Sequence, residues 1–451
     1  MNFKNFVAGL KNRRIAFIGV GISHTDAIRS FAKNGADILV LDKKEIPSAL
    51  REEFEKLGVE VRTGEDYLEK LDADIYFRTP GLPFGSEVVN KLRANNKVVT
   101  SELEVFFELC AGKIIGVTGS DGKTTTTTLI YEILKRAGKR VYIGGNIGLP
   151  LLAKVDEITC GDFVVVELSS FQLESIRVSP EIAVVTNISE NHLNVHGTVE
   201  NYVAAKKNIV LHQNEFSKTV LSASDCYTPE FARLVRGQLI LFGNGRNSNV
   251  FVEDGKIWAN GEMILELGDI KLRGAHNVQN FMAAIAVTGG LATAADIKEV
   301  ATSFLGVEHR IEFCGKMNRA ACFNDSIATT PIRTMAALAS FEEPIVLIAG
   351  GSDKGLCFAE LGSAIAKRVK CLLVTGETGP KIKEAAEKSQ FFCVFEADGI
   401  EAAVKIARKH LQEGDVLLFS PASASFDKYK NFEERGRHFK QVIAQLGDGG
   451  S

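Results

Sequence analysis

Residues 116–126, Gly-Val-Thr-Gly-Ser-Asp-Gly-Lys-Thr-Thr-Thr, place bare backbone, a cation and several hydroxyls side by side. An apolar run, Lys113-Ile114-Ile115, precedes them, and a helix-like pattern from Thr124 to Lys135 follows. A strand, a glycine-rich turn and a helix in that order expose backbone N–H groups and a helix N-terminus to an anion. Lys123 adds a point charge for β- and γ-phosphates, and the Thr124 hydroxyl is a ligand for Mg²⁺. The strict phosphate-loop pattern has glycine five residues before Gly122, where this chain has Val117, so the loop is a shorter variant. Gly-Ser-Asp-Gly also suits a surface turn. The flanking strand and helix favour a nucleoside triphosphate site instead.

Further polar residues follow apolar runs, which is where open parallel sheets bind ligands. Gly144-Gly145-Asn146-Ile147-Gly148 follows Val141–Ile143, and Glu167-Leu168-Ser169-Ser170-Phe171-Gln172-Leu173-Glu174 follows Phe163–Val166. Asn187-Ile188-Ser189-Glu190-Asn191-His192 follows Ile182–Thr186. Glu167 offers the kind of oxygen that Mg²⁺ takes beside a nucleotide, unless it caps the next helix. His192 gains interest from Glu190 and Asn191 beside it. Lys206 ends Tyr202-Val203-Ala204-Ala205-Lys206, where two alanines would let a helix approach the sheet and turn the lysine inward. Read alone, it is a solvated helix lysine. Near the N-terminus, Gly19-Val20-Gly21-Ile22-Ser23 follows the apolar run Arg14–Ile18, and Asp42 ends a second run, Ile38–Leu41. A third, Asp74–Phe77, leads into Arg78-Thr79-Pro80-Gly81. This is half of a dinucleotide fingerprint, with His24 at the third glycine position. It points to a nucleotide or diphosphate, and redox chemistry does not follow from it.

The elements that must position these residues read as α/β, short apolar strands alternating with amphipathic stretches. A chain of 451 residues is too long for one core. Three segments are expected: 1–101, 102–308 and 309–451. With 53 basic and 56 acidic residues the charge is balanced, so no nucleic-acid-binding field is implied. No apolar run approaches a membrane span, and Met-Asn-Phe-Lys-Asn-Phe has no signal-peptide character, which predicts a cytoplasmic protein. Eight cysteines without a Cys-x-x-Cys mostly fall in apolar runs and read as small buried hydrophobes.

Taken together, the ordered motifs resemble the Mur ligase family of ATP-dependent amide-forming enzymes. The resemblance spans nearly the whole chain. It rests on Thr118-Gly119-x-x-Gly122-Lys123-Thr124, on the 144–148 and 167–174 stretches, on Gly274-x-His276-Asn277-x-x-Asn280 and His309-Arg310, and on Asn324-Asp325-Ser326 with Ser420-Pro421-Ala422-x-Ala424-Ser425. The 144–148 and 167–174 stretches resemble the D-glutamate-adding branch. The resemblance implies three domains: a Rossmann-like N-terminal domain, a central P-loop-type ATPase domain and a C-terminal Rossmann-like domain. It implies that ATP phosphorylates the carboxylate of UDP-N-acetylmuramoyl-L-alanine and that the D-glutamate amine attacks the acyl phosphate. Gly119, Ser120, Asp121, Gly122, Lys123, Thr124 and Thr125 would hold the ATP phosphates, Asn277 and Asn280 the adenine, Asp325 the ribose, and Arg310 the phosphates. Thr124 and Glu167 would bind one Mg²⁺, His192 a second, and Lys206, carbamylated by CO₂, would serve that metal. Gly21, Ile22, Ser23, Asp42, Thr79 and Gly81 would take the uridine diphosphate and Asn146 the muramoyl region. Thr329, Lys354, Ser425 and Phe432 would receive D-glutamate in a monomeric enzyme whose third domain closes on the second.

Two positions depart from the family pattern: Ile327 stands where lysine is frequent, and Asn194 where aspartate is common. Three other readings stand beside this one. Another family member would use a different precursor or amino acid. A dinucleotide oxidoreductase would rest on Gly19, Gly21 and Asp42, and a nucleotide-binding switch would lack ligase chemistry.

Overall fold

The computed structural model describes residues 2–147, 150–190, 193–272, 274–353 and 355–448. It is α/β with three sheets. The chain forms two compact units: residues 1–269 with 276–302, and residues 270–275 with 303–451.

The first unit holds two sheets. β1 (Arg14–Ile18), β2 (Asp37–Asp42), β3 (Glu60–Thr63), β4 (Ile75–Arg78) and β5 (Val98–Thr100) are all parallel, in the order β3-β2-β1-β4-β5. The order reverses between β1 and β4, so the turns after these strands open a crevice at their carboxyl ends. Phe17 of β1 stacks on Phe77 of β4, with ring centroids 4.6 Å apart, and Phe31 meets both edge-on. Three pairs of this kind each add about 0.5–1.5 kcal/mol beyond area burial.

The second sheet comprises β6 (Lys113–Thr118), β7 (Val141–Gly145), β8 (Phe163–Glu167), β9 (Ile182–Val185), β10 (Lys218–Ser222), β11 (Gln238–Asn244), β12 (Val250–Glu253), β13 (Lys256–Ala259) and β14 (Glu262–Glu266). Their order is β14-β13-β12-β11-β10-β9-β6-β8-β7. β6, β8 and β9 are near-continuous apolar runs because helices cover both faces of a parallel sheet. The parallel arrangement ends at β12. From there two tight turns, with Asp254 and Asn260 at positive φ (50° and 53°) before Gly255 and Gly261, fold an antiparallel ribbon. One apolar core runs beneath both sheets and includes Phe31, Phe106, Val166 and Tyr202.

The second unit carries β15 (Glu312–Met317), β16 (Ala320–Asn324), β17 (Ile345–Gly350), β18 (Val369–Thr375), β19 (Val394–Glu396) and β20 (Val416–Phe419), ordered β15-β16-β20-β17-β18-β19. β15 is antiparallel to β16 and the others are parallel. The loops after β16, β20 and β17 therefore share one edge.

The cysteines differ from expectation. Only Cys322 and Cys371, both inside strands, are buried, whereas Cys160, Cys226, Cys357 and Cys393 are exposed in or beside loops. An apolar neighbourhood in sequence does not bury a residue that lies beyond the strand end.

Candidate active site

The phosphate loop leaves β6 and enters the Lys123–Arg136 helix through Gly122, whose φ is +76°. A Cβ at Gly119 (φ +150°) would overlap Thr186 Oγ1, and one at Gly122 would overlap Asn280 Oδ1, so both positions require glycine. The loop is fixed from β9's end. Ser120 N donates to Asn187 O (2.8 Å), Asp121 N to Asn187 Oδ1 (3.0 Å) and Thr186 Oγ1 to Asp121 O (2.6 Å). Ser120 is buried against Tyr202, their hydroxyl oxygens 2.9 Å apart. This is a built loop and not a surface turn. Lys123 Nζ donates to Gly119 O (2.9 Å) and Ser120 O (2.8 Å). Thr124 and Thr125 lie buried in the helix's first turn.

Beside the loop, Glu167 ends β8 at 1 % exposure. Its Oε1 accepts from Asn146 Nδ2 at 2.8 Å, while Oε2 has no hydrogen-bond partner among the described residues. The capping role that could have explained Glu167 belongs to Ser169. Its hydroxyl accepts from Gln172 N and Gln172 Oε1 accepts from Ser169 N, a closed capping box. A buried carboxylate oxygen left without a donor fits a metal ligand. Lys206 points into the same place, also 1 % exposed. Its Nζ donates to Thr118 Oγ1 (3.1 Å) and Gly119 O (2.9 Å) and sits 4.7 Å from the Tyr202 ring centroid. Burial, and then the nearby Lys123 charge, hold the Lys206 amine well below its ordinary pKa, against the pull of Glu167 and Asp121. Ala205 is buried as expected, but Ala204 faces solvent, so one alanine and not two lines the approach.

The turn after β1 is of another kind. Gly19 (φ +83°) leaves no room for a side chain beside Thr79, whereas the space above Gly21 is open. Asp42 Oδ2 accepts from Val20 N (2.7 Å) and Oδ1 from Lys44 N (2.8 Å). That carboxylate braces the turn, which weakens the ribose-binding role an oxidoreductase would need. His24 occupies the third glycine's place by packing edge-on against Phe17 (5.3 Å), with Nδ1 2.7 Å from Gly19 O. Burial lowers its pKa to about 4, so the ring is neutral. Thr79 and Gly81 lie on the neighbouring turn after β4.

In the second unit, Asp325 follows β16 and is buried. Its Oδ2 accepts from Ser420 Oγ (2.7 Å) and its Oδ1 from Ile311 N (3.3 Å). Burial pushes its pKa up to about 7, against the opposing effects of the Ser420 bond and Arg310. Arg310 lies between His309 and Ile311, both at positive φ (65° and 46°). Such backbone costs of order 1–3 kcal/mol per residue, and bonds from His309 N to Glu312 and from Ile327 N to His309 O hold it in place.

The chain matches the description "Mur ligase middle domain" over residues 117–288 and "Mur ligase, glutamate ligase domain" over 309–423. Over 465 aligned positions it is 44 % identical to the UDP-N-acetylmuramoylalanine–D-glutamate ligase of Acetivibrio thermocellus, covering 99 % of this chain and 100 % of that protein. This chain belongs to the Mur ligase family. A relative of the same name from Clostridium botulinum strain 657 is 41 % identical over 99 % of both chains. Among solved Mur ligase structures, the UDP-N-acetylmuramate–alanine ligase of Thermotoga maritima shares the fold at a TM-score of 0.62 and 21 % identity, covering 96 % of this chain and all of that one. The T. maritima MurF ligase in complex with ADP does so at 0.58 and 18 %, covering 99 % and 100 %.

Against the Mur ligase expectations, Gly119–Thr125, Asn146, Glu167 and Lys206 converge on one loop. Asn280, expected at the adenine, packs against that loop: Thr126 Oγ1 donates to its Oδ1 (3.2 Å) and its Nδ2 donates to Asn277 Oδ1 (2.9 Å). Asn146, expected at the sugar, supports Glu167. His192 and Lys354 lie outside the described residues. Ile22 and Ser23 open the Ile22–Lys33 helix. Thr329, Ser425 and Phe432 line the loops beside Asp325, with Ser326 Oγ donating to Phe432 O at 2.8 Å. Where the pattern lacks a cation at Ile327, Arg333 Nη1 donates to the Ile327 carbonyl at 3.1 Å.

Sequence reasoning passed over two buried arginines. Arg435 donates to Ser326 O, Ser423 O and Ala424 O at 2.8–3.0 Å and so ties the loops after β16 and β20 together. Arg78 does comparable work in the first unit. Tyr202 and His196 were missed too, although Tyr202 precedes Lys206 by four residues, one helical turn on the same face.

Proposed function

We infer that this chain is an ATP-dependent ligase that adds D-glutamate to UDP-N-acetylmuramoyl-L-alanine, an ADP-forming step of peptidoglycan precursor synthesis in the cytoplasm. The observation that carries the chemistry is the meeting, at one phosphate loop, of a buried carboxylate oxygen without a donor and a buried amine of lowered proton affinity. The full-length relatives support the choice of substrates.

The reaction joins a carboxylate to an amine, and positioning with charge neutralisation dominates it. ATP converts the substrate carboxylate to an acyl phosphate. The D-glutamate amine attacks it, and the tetrahedral intermediate expels phosphate. Loop amides from Gly119 to Thr125 and the start of the Lys123–Arg136 helix receive the phosphates. Lys123 exchanges its internal carbonyl partners for the β- and γ-oxygens. Thr124 and Glu167 would hold one Mg²⁺ and His192 a second, and the ions would neutralise phosphate charge. Lys206, as a neutral amine, adds CO₂ with loss of a proton and becomes an anionic carbamate. In the remaining assignments Asn277 and Asn280 face adenine, Asp325 the ribose and Arg310 the phosphates. Gly21, Ile22, Ser23, Asp42, Thr79, Gly81 and Asn146 hold the sugar nucleotide, and Thr329, Lys354, Ser425 and Phe432 hold D-glutamate. Domain limits of 1–101, 102–308 and 309–451 and a monomeric state complete the proposal. Among the described residues no helix is long and apolar enough to cross a membrane.

The test is phosphate release from ATP, Mg²⁺ and UDP-N-acetylmuramoyl-L-alanine across a panel of amino acids. Release is expected with D-glutamate, giving a product heavier by one glutamyl unit. Release only with another amino acid would move the substrate, and no release with any acceptor would favour a nucleotide-binding switch.

A further inference from the structure

Arg78 ends β4 at 2 % exposure, immediately before Thr79-Pro80-Gly81. Its guanidinium reaches in two directions. Nη1 donates to Leu82 O (3.1 Å), across the turn that Leu82 N closes onto Thr79 O (3.0 Å). Nη2 donates to Phe171 O (3.0 Å) and Ser175 Oγ (2.7 Å), both beyond Glu167 in the second sheet's chain segment. Ser175 Oγ passes a bond on to Glu104 Oε2 (3.2 Å), which places a carboxylate near the buried cation. The planar fork is what allows one side chain to serve acceptors on two segments at once.

From Phe171 the contacts continue to the phosphate loop. The Phe171 ring stacks on His196 at 5.1 Å, and His196 Nε2 lies 3.0 Å from Ser170 Oγ. His196 meets Tyr202 edge-on at 5.5 Å, and the Tyr202 hydroxyl reaches Ser120 Oγ. The short helix Ser170–Leu173, held from one side by Arg78, thus sits between the 79–82 turn and the loop that carries Lys123.

We propose that Arg78 is a positioning residue that clamps the 79–82 turn to the segment following Glu167, so that the sugar nucleotide's carboxylate end is presented to the metal-binding side of the phosphate loop. This rests on the assignment of the 79–81 turn to the sugar nucleotide. Removing the fork leaves Leu82 O, Phe171 O and Ser175 Oγ without their donor and frees the turn. Misplacement of a bound reactant costs rate and affinity for that reactant in particular.

The experiment compares Arg78→Met, Arg78→Lys and Thr79→Val in the full chain, with KM for each substrate and Tm measured together. With Arg78→Met, KM for the sugar nucleotide should rise by roughly tenfold while KM for ATP stays within about twofold. Arg78→Lys, which keeps the charge but not the fork, should fall between this variant and the parent. A purely structural injury would lower Tm and the active fraction with both KM values unmoved, and that result overturns the proposal. Should Arg78→Met fail to fold, Arg78→Lys decides on the same constants. An unchanged KM in the Arg78 variants with a raised one in Thr79→Val overturns the clamp alone. No change in any of the three overturns the placement of the sugar nucleotide, and the clamp with it.

Discussion

The turn after β1 and the loop after β6 are assembled from the same parts: a buried apolar strand, glycines at positive φ and a helix that begins at the turn. Their undersides differ. Below the β1 turn, Asp42 accepts from two backbone amides and His24 is a neutral, hydrogen-bonded ring. Both of these groups already have hydrogen-bond partners, while the space above Gly21 stays open. Below the β6 loop, Glu167 keeps an oxygen without a donor among the described residues, and Lys123 and Lys206 share the Gly119 carbonyl. A strand–glycine–helix unit is therefore only a cradle. Whether it binds or reacts depends on the charged groups buried beneath it.

The hardest blow to this contrast comes from Lys123→Ala, which should lower kcat/KM by about 10³-fold or more with little change in Tm. Steady-state assay alongside thermal unfolding checks it, and near-parental turnover would make the two cradles equivalent.

Next in size is a stability effect on the binding side. In the unfolded chain His24 titrates near 6.5 and in the folded protein near 4, so the unfolded state takes up the proton first. The stabilisation is complete above pH 6.5 and is lost as pH falls towards 4, about 3 kcal/mol in all. Urea unfolding of parent and His24→Gln at pH 7 and pH 4 should show the extra acid loss in the parent only. Parallel losses would mean that the ring is not buried neutral.

Lys206→Ala should cost about 10²-fold in kcat, more than a solvated lysine could. On the proposed carbamylation of Lys206, parent activity lost when dissolved CO₂ is removed should recover with added bicarbonate. Recovery to the same degree in Lys206→Ala would sever that link.

The smallest effect sharpens the contrast instead of testing its extremes. Gly21→Ala meets no atom within 4 Å, so its unfolding free energy should stay within about 0.5 kcal/mol of the parent while KM for the sugar nucleotide rises. Denaturant titration and kinetics on one preparation decide this, and an unchanged KM would leave the crevice without its ligand.

Much of this is legible in the sequence. The phosphate loop is contiguous, so its chemistry and its flanking strand and helix can be read together from residues 113–136. Glu167 announced itself by standing at the end of Phe-Val-Val-Val. What stayed hidden depends on distant partners. Arg78 looks like a strand-end cation until Phe171, 93 residues away, supplies its acceptor. Arg435 likewise looks like one of several charges in an amphipathic helix. β3 and β5 leave little trace because they are only four and three residues long, and β14 because its Met-Ile-Leu lies between glutamates and does not alternate.

The ribbon β12–β14 has a practical bearing on how this protein can be watched. The chain's single tryptophan, Trp258, lies in β13, with β12, β11, β10 and β9 between it and the strand that bears the phosphate loop. The ribbon is paired through two local turns, and edge elements of that kind open at lower free energy than central strands. Intrinsic fluorescence will therefore report the far margin of the sheet. A midpoint taken from it reports that margin, and probes for the phosphate loop must be placed elsewhere.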